Sequence, residues 1–89
     1  MGYLTLGINA IAVCMKRYKN LEGHSGVTGY EILPDAIAVQ FNYDAVYRYT
    51  YASAGKRIIE KMKELAIAGK GLSTYISQIV KDKFEDKIQ

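Results

Sequence analysis

The stretch Ala36-Ile37-Ala38-Val39-Gln40-Phe41-Asn42-Tyr43-Asp44-Ala45-Val46-Tyr47-Arg48-Tyr49-Thr50-Tyr51 decides the fold. Ile37, Val39 and Phe41 alternate with smaller or polar neighbours, so residues 36–42 read as a strand with one apolar face. Asn42-Tyr43-Asp44 supplies a short hairpin connection. Residues 45–51 form the next strand, with Tyr47, Tyr49 and Tyr51 on one face and Val46, Arg48 and Thr50 on the other. Upstream, Val27-Thr28-Gly29-Tyr30-Glu31-Ile32-Leu33 is another strand. The turn Leu33-Pro34-Asp35 follows it, because proline presets φ and aspartate can bond its own backbone. Gly23, Gly26 and Gly29, with His24 and Ser25, mark a loop, and an earlier strand is expected around 13–19.

Near residue 53 the composition shifts from β-branched and aromatic residues to Lys, Glu, Ala and Ile. Ser53 is the expected N-cap of a helix that runs to about Ile67. Ile58, Met62 and Leu65 recur at i, i+4 and i+7, with Ile59 and Ala66 beside them. Gly69-Lys70-Gly71 breaks the helix. A second helix is expected from Leu72 or Ser73 to Phe84, with Leu72, Ile76, Ile79, Val80 and Phe84 as its apolar face, and Glu85–Gln89 as a fraying tail. Strands first and helices after predict an α+β fold: a small antiparallel sheet of three to four strands followed by two helices packed on one face. The other face of such a sheet is either wet and polar or a docking surface.

With 89 residues the chain has room for one small domain. Residues 1–14 are an apolar leader or an extra strand, and 15–89 a single α+β domain. No Lys or Arg precedes the apolar run and Lys16-Arg17 follow it, the reverse of a secretory signal. The run is also too short to span a bilayer. These features point to a soluble cytoplasmic protein with a reduced thiol, and Met15 offers a second plausible start of translation. One Cys and one His exclude an internal disulfide framework and a structural zinc site, so no cofactor or metal is expected.

Charge is segregated along the chain. Residues 1–19 hold Lys16, Arg17 and Lys19 and no acid, whereas 20–44 hold Glu22, Glu31, Asp35 and Asp44 and no base. Residues 45–70 turn basic again through Arg48, Lys56, Arg57, Lys61, Lys63 and Lys70. Such a pattern can build a basic face for phosphates, and it can equally be a set of solvated surface charges. The aromatic content is lopsided, with eight Tyr, two Phe and no Trp.

The span from Val27 to Phe84 resembles the KTSC domain, a short module at the C-terminus of some lysyl-tRNA synthetases and a stand-alone small bacterial protein. Tyr47-Arg48-Tyr49 matches its central Tyr-x-Tyr strand, Gly29-Tyr30-Glu31 its Gly-Tyr-acid strand, and Ile37-Ala38-Val39-Gln40-Phe41 its hydrophobic strand. Ala66 through Gly71, then Leu72-Ser73-Thr74-Tyr75-Ile76, echo its small-residue segment. Tyr51-Ala52-Ser53 stand where the family often has Val-Pro, and Ala68-Gly69-Lys70 do not keep its Ser-x-Gly spacing. The resemblance implies an RNA association through the synthetase link, and no defined chemistry.

The candidate nucleic-acid-binding residues are Tyr47, Arg48 and Tyr49 with Lys56, Arg57 and Lys61. Single-stranded nucleic acids stack bases on exposed rings while cations guide the backbone. Against this, the half-polar face Val46-Arg48-Thr50 looks like the solvent side, which would make the tyrosine face the core and Arg48 the exposed member. Arg57 and Lys61 share a helix face, compensated by Glu60 and Glu64. Gly69-Lys70-Gly71 lacks the spacing of a phosphate loop, since Glu64 stands where its first glycine belongs. Cys14 and His24 are the sole nucleophile–base pair, and nothing in the sequence brings them together. The expectation is therefore a small non-enzymatic binding module for RNA or another polyanion. The alternative is a protein-interaction or structural module that self-associates through an open sheet face. Neither a membrane nor a small-molecule substrate is implied.

Overall fold

The computed structural model describes residues 15–23 and 25–88. The apolar segment 1–14, its Cys14, and His24 lie outside the described residues.

Five strands form one antiparallel sheet in chain order: β1 (Lys16–Arg17), β2 (Val27–Leu33), β3 (Ala36–Phe41), β4 (Ala45–Thr50) and β5 (Asp86–Lys87). Short helices follow β4: α1 (Tyr51–Ala54), α2 (Lys56–Ala68) and α3 (Leu72–Tyr75), the last continued by a π turn over Ile76–Val80. This is the α+β fold expected, with one strand more at the C-terminal edge.

Ile37 faces Tyr49 and Val39 faces Tyr47 across the β3–β4 pair, and Val39 faces Tyr30 on the other side. These residues line the surface that the helices cover. Tyr18, Val27, Tyr30, Ile37, Val39 and Tyr49 pack with Ile59, Met62 and Ala66 of α2 and with Leu72, Ile76 and Val80 further on. Amphipathic spacing on α2 thus buries Ile59, Met62 and Ala66 while its charged residues stay outside. The residues pointing the other way at the centre of the sheet, Ala36, Ala38 and Val46, are buried as well.

Two expectations about the helices change. The N-cap of α1 is Thr50, with φ −125° and ψ 166°, and Ser53 is its capping-box partner. Each side chain takes up the other's backbone N–H at 3.0 Å, Thr50 Oγ1 from Ser53 and Ser53 Oγ from Thr50. The predicted single helix is also split at Gly55, whose φ of 95° interrupts the helical path. Gly69 ends α2 at φ 80°, and a Cβ there would lie 2.6 Å from Lys19 Cβ. The close approach docks the 18–21 segment on the break between α2 and α3. Leu21 N–H bonds Gly69 O at 2.8 Å, and Leu72 N–H donates to the buried Tyr18 hydroxyl at 3.2 Å. The glycine pair is thus a helix break, as its residue types suggested.

The C-terminus departs most from its expected fraying. Helical structure stops at Val80, because Lys81 adopts φ 53°. The freed chain then turns back along β4. Phe84 sits against Tyr47 and Tyr49, ring centroids 4.7 and 6.1 Å away, the second pair edge-to-face. Arg48 grips Asp86 with two hydrogen bonds of 3.0 and 2.9 Å, Thr50 Oγ1 donates to Glu85 at 2.6 Å, and Ser53 Oγ donates to Lys83 O at 2.8 Å. The ion pair is half-exposed and contributes about 1 kcal/mol or less. The aromatic packing contributes more. Phe84→Ala should therefore cost about 2 kcal/mol, roughly half the loss of a fully buried phenylalanine. Urea unfolding measures this; a frayed tail would leave the midpoint unchanged.

Candidate nucleic-acid interface

The six residues read from the sequence do not converge. Tyr49 is only 2% exposed, and Tyr47 is half-buried against Phe41 and Phe84 with Lys87 Nζ over its ring at 5.8 Å, so Tyr49 offers no face to a base and Tyr47 is already packed. Arg48 lies on the far side of the sheet, with its guanidinium committed to Asp86. Lys56 and Arg57 are exposed near the start of α2, and Lys61 pairs with Glu64 at 2.9 Å on the same helix. The three groups therefore lie in the core, beyond the sheet and outside α2. Burial pushes the Tyr49 hydroxyl up to about 12, with the neighbouring Tyr47 adding to the shift.

Glu60 also has a structural task. It accepts a hydrogen bond from the Tyr51 hydroxyl at 2.6 Å and pairs with Lys63 at 3.2 Å. Lys63 in turn donates to Pro34 O at 3.1 Å and lies over the Tyr51 ring. The bond from Tyr51, then that from Lys63, hold the Glu60 carboxyl below its usual range. The cluster pins α2 to the β2–β3 turn. Among the described residues no group of His, Cys, Asp and Glu could hold a metal ion.

A different surface combines exposed charge with an exposed ring. It begins at an irregularity in β2. Val27 faces Phe41 and Gly29 faces Gln40, so Thr28 is one extra residue in the ladder, a β-bulge. Its hydroxyl donates to Gln40 Oε1 at 3.0 Å and accepts the Tyr43 N–H at 2.9 Å. This second bond holds the β3–β4 turn, in which Asn42 and Tyr43 both have positive φ, 52° and 58°. Asp44 N–H closes the turn on Phe41 O at 2.9 Å. Asparagine tolerates that conformation, whereas a bulky tyrosine is strained in it. The Tyr43 side chain is 70% exposed.

Beside this turn runs a groove of about 380 Å³ lined by Met15, Lys16, Arg17, Thr28, Gly29, Gln40 and Tyr43. In β1, Arg17 stands opposite Gly29 and Lys16 opposite Tyr30. Gly29 is needed for space, because a Cβ there would come within 3.0 Å of Gln40 Oε1 and 3.2 Å of Lys16 O. Lys16 and Arg17 are exposed and have no ion-pair partner among the described residues. Asp44 follows Tyr43 in the turn, and Glu31 stands two residues along β2 on the same face as Gly29. Glu31 Oε1 is buried with no hydrogen-bond partner among the described residues. The residues that line the groove include no acid, and its β1 wall carries the charge of Arg17, with Lys16 at the edge.

The basic pair Lys16-Arg17 stood out in the sequence, but its neighbours did not. The bulge at Thr28 brings Gln40 and Tyr43 to it, and alternation alone does not reveal a bulge. One signal was available: an aromatic between Asn42 and Asp44 in a tight turn has nothing there to bury against.

No family model, no curated protein and no solved structure matches this chain.

The raised Tyr49 hydroxyl, together with the raised hydroxyls of Tyr18 and Tyr51, shapes the alkaline behaviour. A group whose folded value lies above its ordinary 10.0 contributes stability in full below 10, and loses it as pH rises through about 12. Unfolding midpoints should therefore fall between pH 10 and 12, and Tyr49→Phe should flatten that fall. Phenolate absorbance at 295 nm, followed alongside urea unfolding, checks both.

Proposed function

We propose that this chain is a small, non-enzymatic binding module of the cytoplasm that takes RNA, or a polyanion resembling it, along the basic β1 edge of its sheet. One observation carries the reading: Arg17, on the sheet face of Gly29 and Gln40 and without an acidic partner among the described residues, lines the same groove as the exposed Tyr43, with Lys16 beside it at the strand edge. Cations beside an exposed ring are the combination by which single strands are held, phosphates on the charges and bases on the ring. The likeness to the KTSC module, with its synthetase association, points the same way.

Phosphate contacts make binding fall with salt, by about 0.7 in the log–log slope for each phosphate neutralised on a single strand. The double variant Lys16→Gln/Arg17→Gln should weaken binding to a short oligoribonucleotide and reduce the slope by about 1.4, the share of two contacts. Lys56→Gln/Arg57→Gln, on α2, should change neither. Anisotropy titrations at two salt concentrations read both effects. Equal losses from the two double variants would overturn the assignment to the β1 edge.

A further inference from the structure

The groove contains more than charge, and the additional features point to recognition of a base. Tyr43 is held in a backbone conformation that costs a bulky residue free energy, and a backbone hydrogen bond to Thr28 Oγ1 keeps it there. Asparagine, aspartate or glycine would fit the position without strain. The ring gains little burial in return, because it is 70% exposed. Folding alone gives no reason for a tyrosine at this site, whereas a rigid exposed ring on a fixed turn is suited to stacking.

The second feature is Gln40. Its Oε1 already accepts the Thr28 hydroxyl. That bond orients the amide and leaves the Nε2 hydrogens as the donors this side chain presents to the groove it lines. Gly29 lets Gln40 lie close over the strand, since a Cβ there would come within 3.0 Å of Gln40 Oε1. The groove, about 380 Å³ and open to solvent, has room for one base beside the ring.

Building on the RNA-binding reading above, we propose that this groove is a single-nucleotide subsite. A base of single-stranded RNA stacks on Tyr43, the adjoining phosphates meet Arg17 and, around the strand edge, Lys16, and the Gln40 amide donates to an acceptor on the base edge. The module then distinguishes nucleic acid from other polyanions by the base itself.

The test uses the full chain with three probes at low salt: pentauridylate, the same length of abasic ribose phosphate, and inorganic polyphosphate. Three proteins are compared, the wild type, Tyr43→Phe and Tyr43→Asn, with urea unfolding of each. Tyr43→Asn should raise the unfolding midpoint by relieving the turn, yet weaken pentauridylate binding at least about tenfold, as expected for one lost base stack. Tyr43→Phe should keep that affinity, because the ring remains. The abasic strand and polyphosphate should bind more weakly than pentauridylate and be indifferent to either substitution. Pentauridylate binding unchanged in Tyr43→Asn, or equal binding of the abasic strand by the wild type, would overturn the base subsite and leave the polyanion reading standing. Failure of all three probes to bind the wild type would overturn both.

Discussion

Val27 and Tyr30 stand three residues apart in β2, yet both turn toward the helices, because Thr28 is an extra residue in the ladder with β3. In a regular strand, side chains three apart point to opposite faces. Without the bulge, one of the two would leave the core. Both are buried, Val27 fully, and they pack in the cluster with Ile59, Met62 and Leu72. The bulge thus makes β2 compatible with the helical layer. The same residue, released from regular pairing, turns its hydroxyl to Gln40 and to the backbone of Tyr43. One local irregularity therefore serves the core and shapes the groove.

The remaining constraint is how so short a chain closes its sheet. In place of a longer helix, the polypeptide stops at Val80 and returns along β4. Phe84 covers the Tyr47 and Tyr49 rings, and Arg48, Thr50 and Ser53 hold the returning strand by side-chain bonds. Three of the residues expected to meet a ligand, Tyr47, Arg48 and Tyr49, are engaged in this closure. Tyrosine suits both roles, since its ring packs as a large apolar body and its hydroxyl reaches a partner or a rim. That dual character is why a count of tyrosines does not separate a stacking surface from a core.

Charge behaves similarly. Two of the four basic residues of α2 are drawn into local pairs, Lys61 with Glu64 and Lys63 with Glu60, because i, i+3 neighbours lie on one helix surface, while Lys56 and Arg57 stay exposed. Lys16 and Arg17 sit in a two-residue edge strand with Tyr18 turned inward and no acid adjacent in sequence. A strand lacks the helix's close same-face neighbours, so its charges stay available unless the partner strand supplies acids. Opposite Arg17 stands Gly29, which supplies none.

The sequence by itself determined the three long strands, the two turns between them, the apolar face of α2 and the break at Gly69–Gly71. Each follows from alternation, helical spacing or the conformational preferences of one or two residues, which act over a few positions. Tertiary structure alone decided which face of β4 is buried, that Thr28 is a bulge, that Asp86–Lys87 forms a fifth strand, and that Tyr43 stands beside Lys16 and Arg17. These depend on contacts between residues far apart in the chain, such as Arg48 with Asp86 and Thr28 with Tyr43. Local pattern does not encode such pairings, because their free energy exists only once the strands have met.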